Sequence, residues 1–412
     1  MKGLIVGLGS IGRRHARNWA ALGLGPLAVC REMGAAQPEP LGLAVREYTD
    51  LTRALEAERP DVVLVTNPTS LHIETACQAL RAGAHVLVEK PLGHSLGGVS
   101  ELLQTSERAT RQLMVGYNLR FHPGLARLKA LTDRGAIGTI VSARADYAEY
   151  LPDWHPWEDY RRSYSGRRDL GGGPLLTLSH ALDALCWLLG APRWVTAVAA
   201  HTSLLDIETE DVADLLLRFD REPRGQAVRH EQSGGGLQGQ AERHEQSGQG
   251  SRVDAERHAG LNGGQLDGGH LEQAARAQAG HGHSTGVTAT VHVDYLRRPA
   301  RRCIELVGDN GVLRWDYDEH CLLQYVPSTR QWRVEQGAPR FERNDMYLAE
   351  LRHFADCVRG EVERPLVDGQ QGAAVLAIAL AALRASSDGR TVDLGDADED
   401  TRAWLSSLGR PA

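Results

Sequence analysis

"MKGLIVGLGSIGRRHARNWA", residues 1–20, is the stretch on which the fold turns. An apolar run over 4–8 leads into Gly-Leu-Gly-Ser-Ile-Gly at 7–12, and a helical pattern follows over about 11–22. In that strand–turn–helix setting Gly7 permits a tight turn, Gly9 lets a pyrophosphate approach the backbone, and Gly12 lets the helix pack on the strand. The unpaired N–H groups of the helix start, around Ser10 and Ile11, then face the phosphates. A lone GxGxxG carries little; at the head of an alternating β/α segment it reads as a dinucleotide-binding turn.

The alternation continues to about residue 118. Strand-like runs fall at 27–30, 62–66, 85–89 and 113–117, with helical patterns near 49–58, 70–82 and 96–109. Near-continuous Val/Leu/Ile runs between helices imply a parallel sheet covered on both faces, which is a doubly wound Rossmann domain over 1–119. At the end of the second strand, where an acid ordinarily holds the ribose 2′-OH of NAD, stand Cys30 and Arg31. Arg31 suits a 2′-phosphate, so the reading is NADP or NAD with a lean to NADP. The alternative is an ordinary surface Arg31 with Glu32 serving the ribose.

Past 120 the pattern changes. A helix near 123–134, a strand near 138–147 and an aromatic loop precede a helix opened by "GGGP" at 171–174. Strands then follow at about 193–201, 211–219, 286–295, 302–307, 311–317 and 321–326, and helices near 345–359 and 369–386 end the pattern. Consecutive strands with short turns predict a mostly antiparallel sheet in a second domain, 120–412. That domain is interrupted by 221–285, a Gly-, Gln- and His-rich stretch with an internal repeat, "RHEQSGGGLQGQAE" then "RHEQSGQGSRVDAE". Such a composition buries too little apolar surface to order itself and predicts disorder. Its histidines are read as compositional, and no metal is expected.

The chain has 412 residues, 46 Lys and Arg against 53 Asp and Glu, and a net charge of −7, so no basic field invites nucleic acid. Six scattered cysteines without metal spacing fit a reducing compartment. No apolar stretch is long enough for a bilayer, and the N-terminal run lacks the features of a signal peptide. The expectation is a soluble cytoplasmic protein with no membrane partner.

"VLVTNPTSLHIETACQALRAGAHVLVEKP" (63–91), "GYNLRFHP" (116–123) and "GGGPLLTLSHALDALCWLLG" (171–190), downstream of the glycine turn, together resemble the glucose–fructose oxidoreductase/inositol dehydrogenase (Gfo/Idh/MocA) family. The resemblance implies a C-terminal α/β domain on a large open sheet, homodimers or homotetramers, and NAD(P)-dependent oxidation or reduction of a sugar or polyol CH–OH group. It implies that Lys90 of Glu89-Lys90-Pro91 lies between nicotinamide and substrate, with a Lys-Pro bond that is often cis in relatives. It places Asn67, Pro68, His72 and Glu89 around the cofactor and Arg120 in the active cleft.

The family usually has an acid three or four residues before the His found here at 180; this sequence has Leu176 and Thr177 there. Asp183, one helical turn after His180, is the only nearby carboxylate on that face. The expected mechanism has His180 as general acid/base, Lys90 as electrostatic stabiliser, Asp183 orienting His180, and Thr177 hydrogen-bonding substrate. In the loop 150–166, Trp154, Trp157 and Tyr164 suit stacking on sugar faces, and packing or a subunit interface explains them equally well. The loop also resembles relatives acting in surface-carbohydrate pathways, which adds nucleotide sugars to the substrate class. The competing expectation is an inactive dinucleotide-binding regulator on the same fold.

Overall fold

Val62–Val65 and Gly3–Val6 are buried at every position, as strands covered on both faces must be. The computed structural model describes residues 1–31, 41–156, 158–220, 286–337 and 340–408. The expected disorder of 221–285, its histidines, Glu32 and Trp157 therefore fall outside the described residues. Six strands, β1 (Gly3–Val6), β2 (Leu27–Cys30), β3 (Arg46–Tyr48), β4 (Val62–Val65), β5 (His85–Glu89) and β6 (Leu113–Gly116), form a parallel sheet in the order β3-β2-β1-β4-β5-β6. Helices α1 (Ser10–Ala21), α2 (Leu51–Glu58), α3 (His72–Arg81) and α4 (Val99–Ala109) join them. The strand order reverses between β1 and β4, and ligands of such sheets bind at the carboxyl ends of the strands at that point. Gly7 and Asn67 stand there.

The second sheet has nine strands in the order β14-β13-β12-β11-β7-β10-β9-β8-β15. They are β7 (Ile140–Ala148), β8 (Pro192–Ala200), β9 (Val212–Asp220), β10 (Gly286–Asp294), β11 (Arg301–Gly308), β12 (Gly311–Asp316), β13 (Cys321–Val326), β14 (Gln331–Gln336) and β15 (Val392–Asp393). Only the β7–β10 pair is parallel, so the sheet is mixed and mostly antiparallel, as the strand spacing predicts. The helices are α5 (Pro123–Asp133), α6 (Pro174–Thr177), α7 (His180–Leu189), α8 (Arg343–Arg359), α9 (Gly369–Asp388) and α10 (Glu399–Leu405). α9 packs on β8 and on β6 of the first sheet, and α8 packs on α1. Among the described residues no helix is long and apolar enough to cross a membrane.

Two differences from the sequence reading bear on the site. The helix opened by "GGGP" is two helices, α6 and α7, broken at Leu178–Ser179. The loop after β7 is a run of short 3₁₀ turns, Leu151–Asp153, Tyr160–Arg162, Tyr164–Gly166 and Arg168–Leu170.

β9 and β10 pair along their whole length up to Asp220 opposite Gly286, the residues flanking 221–285. Opposed residues of an antiparallel pair lie about 5 Å apart, a span that a two-residue turn closes. Replacing 221–285 by Asn-Gly is therefore expected to leave the melting temperature within a few degrees of the full chain. A collapse of the thermal transition in calorimetry would show that the segment carries part of the second sheet's stability.

Candidate functional site

The glycine turn is built by crowding on two sides and left open on the third. Gly7 has φ +94°, and a Cβ there would lie 2.6 Å from the Asn67 nitrogen. A Cβ on Gly12 would lie 2.2 Å from the Gly7 carbonyl oxygen, so α1 meets the turn only through glycine. Around Gly9 a Cβ meets nothing within 4 Å, and α1 has no side-chain cap on its N-terminal N–H groups. Asn67 donates to Thr75 Oγ1 at 2.9 Å, while its own Oδ1 is buried without a partner among the described residues. Open space over Gly9, uncapped helical N–H groups beside Ser10 and Ile11, and an orphaned amide oxygen at the strand-order reversal fit a dinucleotide.

The end of β5 sends two charges to different places. The Glu89 carboxylate is buried and accepts a 2.7 Å hydrogen bond from His15 Nε2. Lys90 donates through Nζ to the Thr177 carbonyl at 2.5 Å, and the Lys90–Pro91 bond is cis. The His72 ring nitrogens face the carbonyls of Pro91 and Asn67, each at 2.9 Å. His72 thus braces the segments of Asn67 and Pro91 against each other. Glu89 likewise spends one oxygen on His15.

Lys90 finds its acceptor because the helix breaks. The Ala181 N–H donates to Leu178, so the Thr177 carbonyl, which an unbroken helix would use, is left for the ammonium. The Thr177 hydroxyl donates to the Gly173 carbonyl at 2.8 Å and lies 2.5 Å from the Tyr295 hydroxyl. Both of its partners are protein groups, so the expected substrate contact of Thr177 is replaced by a backbone contact to Lys90. Three residues on, the buried His180 ring lies edge-on to Tyr117, centroids 5.7 Å apart, and 6.0 Å from Tyr147. Burial, then the positive charge of Lys90, hold His180 well below its ordinary range, so its imidazole is neutral at pH 7. Its Nδ1 is buried without a partner among the described residues.

Asp183 and Arg120 do not meet the expectation made for either. Arg120, 2% exposed, donates to both Asp183 oxygens, with a closest approach of 2.7 Å, and to Gln371 Oε1 and the Leu366 carbonyl. Asp183 is therefore an ion-pair partner rather than the orienter of His180, and Arg120 is an internal strut rather than a substrate ligand. The sequence shows Asp183 on the His180 face of a helix but not the guanidinium that claims it from 63 residues away.

On the loop side, Trp154 packs edge-on to Tyr295 at 5.4 Å, and Tyr164 is half-buried near the same ring. Ser10 Oγ lies 3.4 Å from His155 Nε2, bringing the loop to the glycine turn. Arg31 is paired with Glu47 at 2.8 Å, so its guanidinium is engaged on β3. His15, Tyr295 and Glu350 escape sequence reading. His15 and Glu350 are fully buried with Glu89, with one ligand-type atom of each within 4.8 Å of the others. Burial and the Glu89 charge push Glu350 well above the carboxylate range.

A family model described as "Oxidoreductase family, NAD-binding Rossmann fold" matches residues 1–117, and one described as "GFO/IDH/MocA C-terminal domain" matches 125–239. D-glucoside 3-dehydrogenase of Escherichia coli is 32% identical over 158 residues, 38% of this chain and 43% of that enzyme. Inositol 2-dehydrogenase of Salmonella typhimurium is 28% identical over 46% of this chain and 54% of its own length. The chain thus spans about half the length of the curated relatives it matches. Among solved structures, the WlbA dehydrogenase of Bordetella pertussis, in complex with NADH and UDP-GlcNAcA, superposes with a TM-score of 0.67 at 21% identity, covering 96% of this chain and 98% of that one. Levoglucosan dehydrogenase in complex with NADH gives 0.70 at 16%, over 95% and 98%.

Breaking a buried ion pair from one side leaves the other charge stranded, at a cost of about 3–5 kcal/mol. Arg120→Met is expected to lose stability of that order in urea unfolding, and Arg120→Met/Asp183→Leu to regain most of it. Equal losses in the single and double variants would show that shape, not charge, holds this contact.

Proposed function

We propose that this chain, which belongs to the Gfo/Idh/MocA oxidoreductase family, is a dehydrogenase that interconverts a secondary alcohol and a ketone on a sugar, polyol or sugar derivative. The observation that carries this reading is the Lys90 ammonium on the Thr177 carbonyl at the end of α6, three residues before a neutral His180 imidazole, in a chain whose glycine turn is left uncapped. Relatives named for dehydrogenation of a glucoside, levoglucosan and inositol support the substrate class.

Gly7, Gly9, Ser10, Ile11 and Gly12 would hold the dinucleotide diphosphate, with Asn67 and Pro68 toward the nicotinamide. When bound, that cofactor supplies the two-electron carrier. A neutral His180 accepts the proton of the substrate hydroxyl, and Lys90 places positive charge beside the oxygen as it gains negative character. Tyr117 and Tyr147 hold the imidazole by packing, which replaces the missing acid at 176–177. Trp154 and Tyr164 form the outer wall for the substrate. For the cofactor we favour NAD(H): Arg31 is bound to Glu47 instead of standing ready for a 2′-phosphate, and several similar structures are complexes with NAD or NADH.

Two outcomes test this. NADH fluorescence is expected to report binding at least roughly tenfold tighter than NADPH. Lys90→Ala is expected to lose turnover on a sugar and polyol panel by roughly 10²–10³-fold while NADH binding persists, a loss typical of removing a charge stabiliser. NADH binding without turnover by the unaltered protein on that panel would return the reading to a regulator.

The pH profile is a separate check. A base whose pKa is lowered stays deprotonated to lower pH, so kcat/KM is expected to stay flat on acidification through pH 6.5 and to fall only well below it. An acid limb centred near 6.5 that vanishes in His180→Asn would show an imidazole in contact with water rather than a buried one.

A further inference from the structure

Most arginines lining the cleft are already spoken for. Arg120 belongs to Asp183, and Arg302 to Asp318 at 2.6 Å and Glu149 at 3.5 Å. Arg343, the first residue of α8, differs: among the described residues it makes no hydrogen bond or ion pair through its side chain, and it is exposed. Its place is fixed from both sides. Tyr347, one helical turn on and so on the same face of α8, has its ring 4.6 Å beneath the Arg14 guanidinium and 6.2 Å from His15, beside the glycine turn. On the other side Phe341, two residues before Arg343, packs on His122 at 4.7 Å, and the His122 ring is 5.2 Å from Tyr317; Arg302 lies 4.2 Å from Tyr317 and 6.0 Å from Tyr147, which is 6.0 Å from the His180 ring.

The acids next to Arg343 do not neutralise it. Glu342 and Asp345 are committed to a capping box, each side chain accepting from the other's backbone N–H. The result is an unpaired planar donor fork at the start of α8, between Phe341 and Tyr347, on the side reached through Tyr317 and Tyr147 from His180. Guanidinium groups in such a setting bind carboxylate or phosphoryl oxygens in bidentate fashion.

We propose that Arg343 binds an anionic group of the substrate, a carboxylate or phosphoryl oxygen, so that the preferred substrate is a charged sugar rather than a neutral polyol. This rests on the dehydrogenase reading of the same cleft. An oxyanion could also come from the cofactor diphosphate, and the experiment separates the two sources.

NADH-loaded protein is titrated with D-glucuronate, glucose 6-phosphate and UDP-glucuronate, and with neutral glucose and myo-inositol, following NADH fluorescence. The same series is run on Arg343→Met and Arg343→Lys, with melting curves to confirm folding. At least one charged sugar is expected to bind roughly tenfold or more tighter than the neutral ones. Arg343→Met should abolish that preference, Arg343→Lys should restore part of it, and NADH affinity should be unchanged. A wild type without charge preference, or a preference that survives in Arg343→Met, overturns the proposal. Loss of NADH affinity with sugar preference intact assigns Arg343 to the diphosphate and overturns it as well. Turnover of neutral polyols with no charge preference would sink this inference and leave the dehydrogenase standing; Arg343-dependent binding without turnover of any sugar would do the reverse.

Discussion

Successive side chains of an extended chain leave on opposite sides, and the last residue of the fifth parallel strand and the residue after it turn this constraint into a division of labour. Glu89 goes back into the protein to His15, one helical turn past the glycine turn, while Lys90 goes forward to the carbonyl of Thr177. One strand end therefore ties the helix that receives the dinucleotide to the helix pair that carries His180. A buried carboxylate tolerates this position only with a hydrogen-bonded partner. Here the partner is His15, and burial together with the Glu89 charge pushes the nearby Glu350 well above the carboxylate range.

The opposite wall of the cleft has to present a free carbonyl to that ammonium. An unbroken helix would consume it internally; the interruption at Leu178–Ser179 releases it, and the contacts of Thr177 to Gly173 and Tyr295 hold the short first helix in place. Behind it, the Arg120–Asp183 pair fixes the second helix against the segment following the parallel sheet. His180 thus needs no carboxylate to set its orientation. Two tyrosine rings and the fixed helix do so, and burial, with the positive charge of Lys90, keeps the imidazole neutral.

What the sequence displays is what periodicity and turn chemistry can encode. Strands buried on both faces read as apolar runs, so five of the parallel strands are legible, while Arg46–Tyr48, a three-residue edge strand with two exposed charged residues, leaves no such run. Gln331–Gln336 is missed for the same reason, being exposed at all six positions. The glycine turn and Lys90 are legible because their spacing carries their chemistry. The helix break is not, because every residue around it is buried whether the helix continues or stops. Partners distant in the chain are invisible to any local pattern, and for that reason Asp183 reads as the neighbour of His180 when it is the partner of Arg120.

The net charge of −7 is a poor guide to what this cleft attracts. Salt screens exposed charges beyond about 8 Å at physiological ionic strength, so a ligand at the cleft responds to the groups around it and not to the sum over the surface. Nearby carboxylates are largely consumed: Glu89 by His15, Glu149 beside Arg302, and Glu342 and Asp345 by each other's backbone. Lys90, Arg14 and Arg343 have no ion-pair partner among the described residues, with Arg14 resting on the face of Tyr347 instead. An acidic chain can in this way present a locally cationic cleft to a dinucleotide and to a charged sugar. The total charge that argues against nucleic acid as a partner places no limit on either.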